Sequence, residues 1–145
     1  MTYRRTIPGV LAALMVMAPL GAALAHHSFA AQYDGRKTVT IEGAVTKVEW
    51  MNPHGYFFVD VVDPATGNVT SWSCEIAAPA ALMRSGWTRN SLKPGDLVVV
   101  EGALARDGAN ALNAGNVTLA ASGKKLFGRA ANEEREAKQA RESAN

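Results

Sequence analysis

The sequence predicts an all-β fold with small α content: a single barrel of five strands in Greek-key order, with one short helix between strands 3 and 4. Three observations carry that expectation. Runs rich in β-branched and aromatic residues recur at short intervals, separated by clusters of Gly, Pro, Asn and Asp. The first run alternates apolar and polar residues and then changes phase in its middle, as a strand bent around a barrel corner must. Between the third and fourth runs a single segment, residues 77–84, reads as helix.

In the first run, starting at Thr38, Val39, Ile41, Gly43 and Val45 share one face while Thr40, Glu42 and Thr46 share the other. Val48 and Trp50 fall on the opposite parity, so a bulge is expected near Thr46-Lys47. Asn52-Pro53-His54-Gly55 supplies a tight turn. In the second strand, 56–62, a period of two puts Phe57, Val59 and Val61 inside and turns Tyr56 and Phe58 outward. A hairpin turn at 63–68 leads to the third strand, 69–76, with Trp72, Cys74 and Ile76 on one face. The helix tolerates Pro79 in its first turn and stops at Gly86. A fourth strand is expected at 97–104 and a fifth at 117–119. The expected core is Val39, Ile41, Val45, Phe57, Val59, Val61, Trp72, Ile76, Val98 and Val100.

Three strands, a helix and two strands, with the first strand bent, resemble the oligonucleotide/oligosaccharide-binding (OB) fold, a five-stranded Greek-key barrel. The segments around Gly43 and from Leu92 to Gly102 look like the first-strand glycine and the entry to the fourth strand of such barrels. Glycine at these points serves corner curvature.

The domain expectation follows from composition. Arg4-Arg5, an apolar run to Leu24 and the small-residue exit Ala23-Leu24-Ala25 read as a secretory signal over 1–25, so the expected location is periplasmic or secreted. A cut after Ala25 makes His26 the new terminus and leaves 120 residues, enough for one domain. The arm is expected at 26–37, the OB-like barrel at 38–128, and a charged helical or disordered tail at 129–145. The full chain has 15 Lys and Arg against 13 Asp and Glu, and the signal holds two of the basic residues, so the mature charge is near zero. From that balance the expected partners are a small ligand or an exported protein, with no nucleic acid and no membrane after cleavage. Cys74, the only cysteine, excludes an internal disulfide and reads as a buried hydrophobe.

Chemistry has few candidates. Trp50, Asn52, His54, Tyr56 and Phe58 cluster around the first inter-strand turn and form the expected ligand-binding set, at the barrel mouth where loops bind in this fold. The competing expectation is that Phe29 and Tyr33 of the arm cover this face. His26, His27 and His54 are the candidate metal ligands: the terminal amine and imidazole of His26 with one remote imidazole make a nitrogen set suited to Cu(II). Otherwise His26-His27 begin an arm and His54 fills a polar turn. Asp60, Asp63, Glu75 and Glu101 are expected to face solvent. With no G-x-S-x-G, H-E-x-x-H, C-x-x-C, G-x-G-x-x-G or Walker A pattern, no enzyme activity and no cofactor are expected, copper being the alternative.

Ala25-His26-His27-Ser28-Phe29-Ala30, Val48-Glu49-Trp50-Met51-Asn52-Pro53-His54, and the run from Gly86-Trp87-Thr88 to Lys93-Pro94-Gly95-Asp96 together resemble a family of small exported bacterial proteins of unestablished function. The resemblance implies an exported single barrel and carries over no catalytic residue. The functional expectation is an exported binding module, with an exported copper-binding protein as the alternative.

Overall fold

In the computed structural model, which describes residues 29–127, the chain runs β1 (Tyr33–Glu49), β2 (Gly55–Val62), β3 (Val69–Ile76), α1 (Pro79–Arg84), β4 (Leu97–Ala105), β5 (Ala111–Leu119) and β6 (Lys125–Phe127). The expected signal at 1–25, His26, His27 and the tail at 129–145 lie outside the described residues. The sheet order is β3-β2-β1-β4-β5-β6, and a further pairing of β3 with β5 brings the ends of the first five strands together. That seam is parallel and short, pairing Ser73, Cys74 and Glu75 with Ala111, Leu112 and Asn113. The other pairings are antiparallel. The class is all-β with an OB-like strand order.

The bend of β1 makes this order possible. Its first part, Tyr33 to Ala44, pairs with β4, and its last part, Ala44 to Glu49, pairs with β2. The register shifts between Val45 and Lys47, where the change of apolar phase requires a bulge. Gly43 sits at this crossing: a Cβ there would overlap the Asp60 carbonyl oxygen. Gly102 plays the same part between β4 and β5, where a Cβ would overlap the Asn113 carbonyl. The glycines therefore answer to close backbone approach at the corners.

Two strands are longer than the alternation predicts. β1 starts at Tyr33, so 33–37 belong to the strand and not to the arm; a second register shift between Asp34 and Thr38 hides the pairing behind a polar stretch. β5 starts at Ala111, masked by Asn113, Gly115 and Asn116, whose β-propensity is low. β6 was not expected from the pattern; it is three residues long.

Ile41, Val45, Phe57, Val59, Ile76, Val98 and Val100 are buried as expected, and Cys74, Leu112, Ala114 and Val117 join them. Val39, Val61 and Trp72 are corrected to half-buried: they pack against the core cluster from its margin and are not enclosed by it. A plug of Leu82, Trp87 and Leu92 completes the core. α1 is six residues long, too short to persist by itself, and is held by burial of Leu82. Gly86, at φ 87°, ends it as expected. The Trp87 indole N–H donates to the Leu126 carbonyl at 2.6 Å and ties the plug to β6.

Candidate functional site

The four-stranded neighbourhood of Glu75 gathers polar groups distant in sequence. The β2–β3 register sets Tyr56 opposite Glu75, and the parallel seam sets Asn113 opposite it. The early start of β1 delivers Tyr33, and the β1–β2 loop delivers His54.

Tyr33, Tyr56 and Asn113 donate to the same carboxylate, and His54 stands against it. Oε2 accepts from the Tyr33 hydroxyl at 2.9 Å and from the Tyr56 hydroxyl at 3.0 Å. Oε1 accepts from Asn113 Nδ2 at 3.2 Å and lies 2.7 Å from His54 Nδ1. Three hydrogen bonds and one imidazole contact account for both carboxylate oxygens. This is how an acid only 4% exposed is tolerated in the fold. The expectation that Glu75 faces solvent is therefore corrected: its partners shield it. Burial, and donation to Glu75, push the Tyr33 and Tyr56 hydroxyls above the usual phenol range, so both stay donors.

His54 is held by one side of its ring: Nδ1 stands 2.7 Å from Glu75 Oε1, Nε2 is the ring nitrogen away from that contact, and the side chain is 39% exposed.

A second clamp holds the first strand's root. Arg106 Nε donates to the carbonyls of Ala30 at 2.9 Å and Tyr33 at 3.0 Å, and the Arg106 backbone N–H donates to the Gln32 carbonyl at 2.9 Å. Its guanidinium also lies 3.6 Å from Asp34 Oδ1. The backbone N–H and guanidinium of Arg36 hold that buried carboxyl below its usual range. Beside this clamp a cleft of about 270 Å³ is lined by Gln32, Tyr33, Tyr56, Glu75, Asp107 and neighbouring alanines.

The remaining expected ligand residues sit around the same loop without converging on one point. Trp50 is half-buried against the core with the Arg89 guanidinium 5.8 Å from its ring centre. Phe58 is half-buried under the Lys47 ammonium at 5.7 Å, and Asn52 is exposed. Tyr33 shares a carboxylate with Tyr56, whereas Phe29 stacks at 5.8 Å on Tyr33. Of the other acids, Asp60 bonds the Ser71 hydroxyl, Asp63 caps its hairpin through Ala65 N–H, and Glu101 takes Asn116. Cys74 is fully buried, and burial pushes its thiol up to about 12. Among the described residues no group of three His, Cys, Asp or Glu is placed to hold a metal.

Glu75, Asn113 and Arg106 were missed as site residues, and Tyr33 was seen only as a cover. One of these was within reach: pairing 56–62 with 69–76 across the turn at 63–68 places Tyr56 against Glu75. Tyr33 and Asn113 arrive through the hidden starts of β1 and β5, Arg106 follows the end of β4, and none of the three carried a local signal.

A family model described as "Family of unknown function (DUF6152)" matches residues 13–114. No curated protein matches the chain. Among solved structures, the domain is similar to the crystal structure of the mitochondrial single-stranded DNA binding protein Rim1 from S. cerevisiae, with TM-score 0.47 and 13% identity over 58% of this chain and 93% of that one. The expectation that charge balance excludes nucleic acid is corrected: the near-zero charge of the expected processed chain is an average and does not describe any one groove.

Proposed function

The chain belongs to the family of unknown function DUF6152, and from that premise we propose that it is an exported, non-enzymatic binding module whose ligand-holding end is the loop carrying His54. The observation that carries the reading is the His54 Nδ1 to Glu75 Oε1 contact at 2.7 Å. A buried carboxylate that fixes an imidazole tautomer and leaves Nε2 outward is the arrangement found behind metal-ligating histidines. Export is supported by Arg4-Arg5, the apolar run and the Ala23-Leu24-Ala25 exit.

The same contact favours copper as the ligand. After cleavage at Ala25, the amine and imidazole of His26 supply two nitrogens and His54 Nε2 a third, a set suited to Cu(II), with His27 a further imidazole in reserve. The test is to express the full chain with export, sequence the amino terminus of the processed protein, and titrate it with Cu(II) beside His54→Ala. The reading expects a terminus at His26, one tight equivalent, and a loss of affinity of at least about tenfold in the variant, roughly 1.4 kcal/mol. Equal, weak binding by both proteins overturns the copper reading.

A further inference from the structure

We propose that the notch where β1 and β2 part, at the opposite end of β2 from His54, takes an extended peptide of a partner protein as an added strand, and that this peptide alternates apolar and basic side chains. The proposal does not rest on the copper reading.

The notch follows from the bend of β1. Pairing of β1 with β2 stops at Ala44 and Asp60, so the part of β1 before Ala44 lies along β4 and the end of β2 lies along β3. Val45 directs both backbone groups to the β4 side: its N–H donates to the Asp96 carbonyl at 2.8 Å, and its carbonyl accepts from the Gly95 N–H at 2.8 Å. The backbone groups of an extended strand alternate in direction, so those of Thr40 and Glu42 face the β2 side. Among the described residues no strand pairs with them there. An edge of this kind is a template for another strand.

A cleft of about 610 Å³ opens between the parted strands, within the range of ligand-holding clefts. Ile41, Val61 and Trp72 make its apolar floor, on the core side of their strands. Glu42 and Asp60 stand on the outer rim, where Asp60 accepts from the Ser71 hydroxyl, and among the described residues no Lys, Arg or His lines the cleft. Val62 and Leu97, 57% and 54% exposed, extend the apolar surface along the rim, an exposure that marks a contact surface. An added strand turns successive side chains to opposite faces. Every second side chain therefore meets Trp72 and its neighbours, and those between meet Glu42 and Asp60. Complementarity makes the first set apolar and the second basic.

The test titrates the processed full chain, followed by amide NMR, with a short peptide alternating lysine and valine, its counterpart with glutamate for lysine, and a copy of the first methylated on its backbone nitrogens. Strand addition expects saturable shifts of the Thr40, Glu42 and Val62 amides with the lysine–valine peptide, and binding at least about tenfold weaker for the other two. Glu42→Lys, a change at an exposed side chain, should bind the lysine–valine peptide about threefold to tenfold more weakly while thermal unfolding stays near that of the wild type. Equal binding by the methylated peptide, equal binding by Glu42→Lys, or no binding by the lysine–valine peptide overturns the proposal. Self-association of the free chain that shifts the same amides also overturns it, and makes a second copy the occupant.

Discussion

His54 and Glu75 meet at 2.7 Å, Nδ1 to Oε1, across the gap between the β1–β2 loop and the end of β3. The loop histidine thereby stands against the barrel wall, on a carboxylate that Tyr33, Tyr56 and Asn113 hold in place. Rigid placement of a loop donor on a sheet is what a binding site needs from its scaffold.

Core truncations should separate by depth. Phe57 is fully buried in the middle of β2, so Phe57→Ala is expected to cost about 3–5 kcal/mol. Trp72 is half-buried in β3, so Trp72→Ala should cost distinctly less. Urea unfolding of the two variants checks the order, and a larger loss at Trp72 contradicts the parity of β2 and β3.

Corner glycines should be intolerant of a single methyl group. Gly43→Ala and Gly102→Ala drive a Cβ into the carbonyls of Asp60 and Asn113, whereas at Gly35 the nearest atom to an added Cβ is at 3.7 Å, an ordinary contact. Losses of roughly 1–3 kcal/mol are expected for the first two, and little change for Gly35→Ala. The midpoints of thermal melts rank them.

At alkaline pH the two tyrosines govern a stability loss. Their folded-state pKa values lie above the usual phenol value of 10.0, chiefly through burial. The folded protein therefore holds these protons more tightly than the unfolded chain. Their contribution is complete below pH 10.0 and is lost as pH rises from there through the folded values. Tyr33→Phe should flatten the alkaline limb of stability against pH. An unchanged limb contradicts the burial of that hydroxyl.

Cys74 should be inert in the native protein. A thiol pushed up to about 12 and fully buried has neither thiolate nor access. Alkylation by iodoacetamide near neutral pH is expected only at the rate of unfolding. Prompt labelling of the folded chain contradicts the burial.

Much of the barrel was legible because its signals are local. The phase slip between Val45 and Val48 announced the bulge, the period of two in 56–62 oriented Phe57 against Tyr56, and Gly86 marked the helix stop. The Glu75 cluster was legible at His54 and Tyr56. Glu75 read as a surface acid because its shielding comes from Tyr33 and Asn113, on strands whose polar first residues concealed their pairing. Burial of a charge depends on partners gathered by topology, and alternation along one strand carries no trace of them.

Pulsed EPR of the Cu(II)-loaded, processed protein bears most directly on the central claim, that His54 presents Nε2 to the ligand while Glu75 holds Nδ1–H. An imidazole bound through one nitrogen shows nuclear modulation from the other, remote nitrogen. The account predicts that His54→Ala removes one imidazole's share of that modulation and weakens Cu(II) binding in the same sample. Superimposable spectra and equal affinities for the wild type and His54→Ala would contradict it.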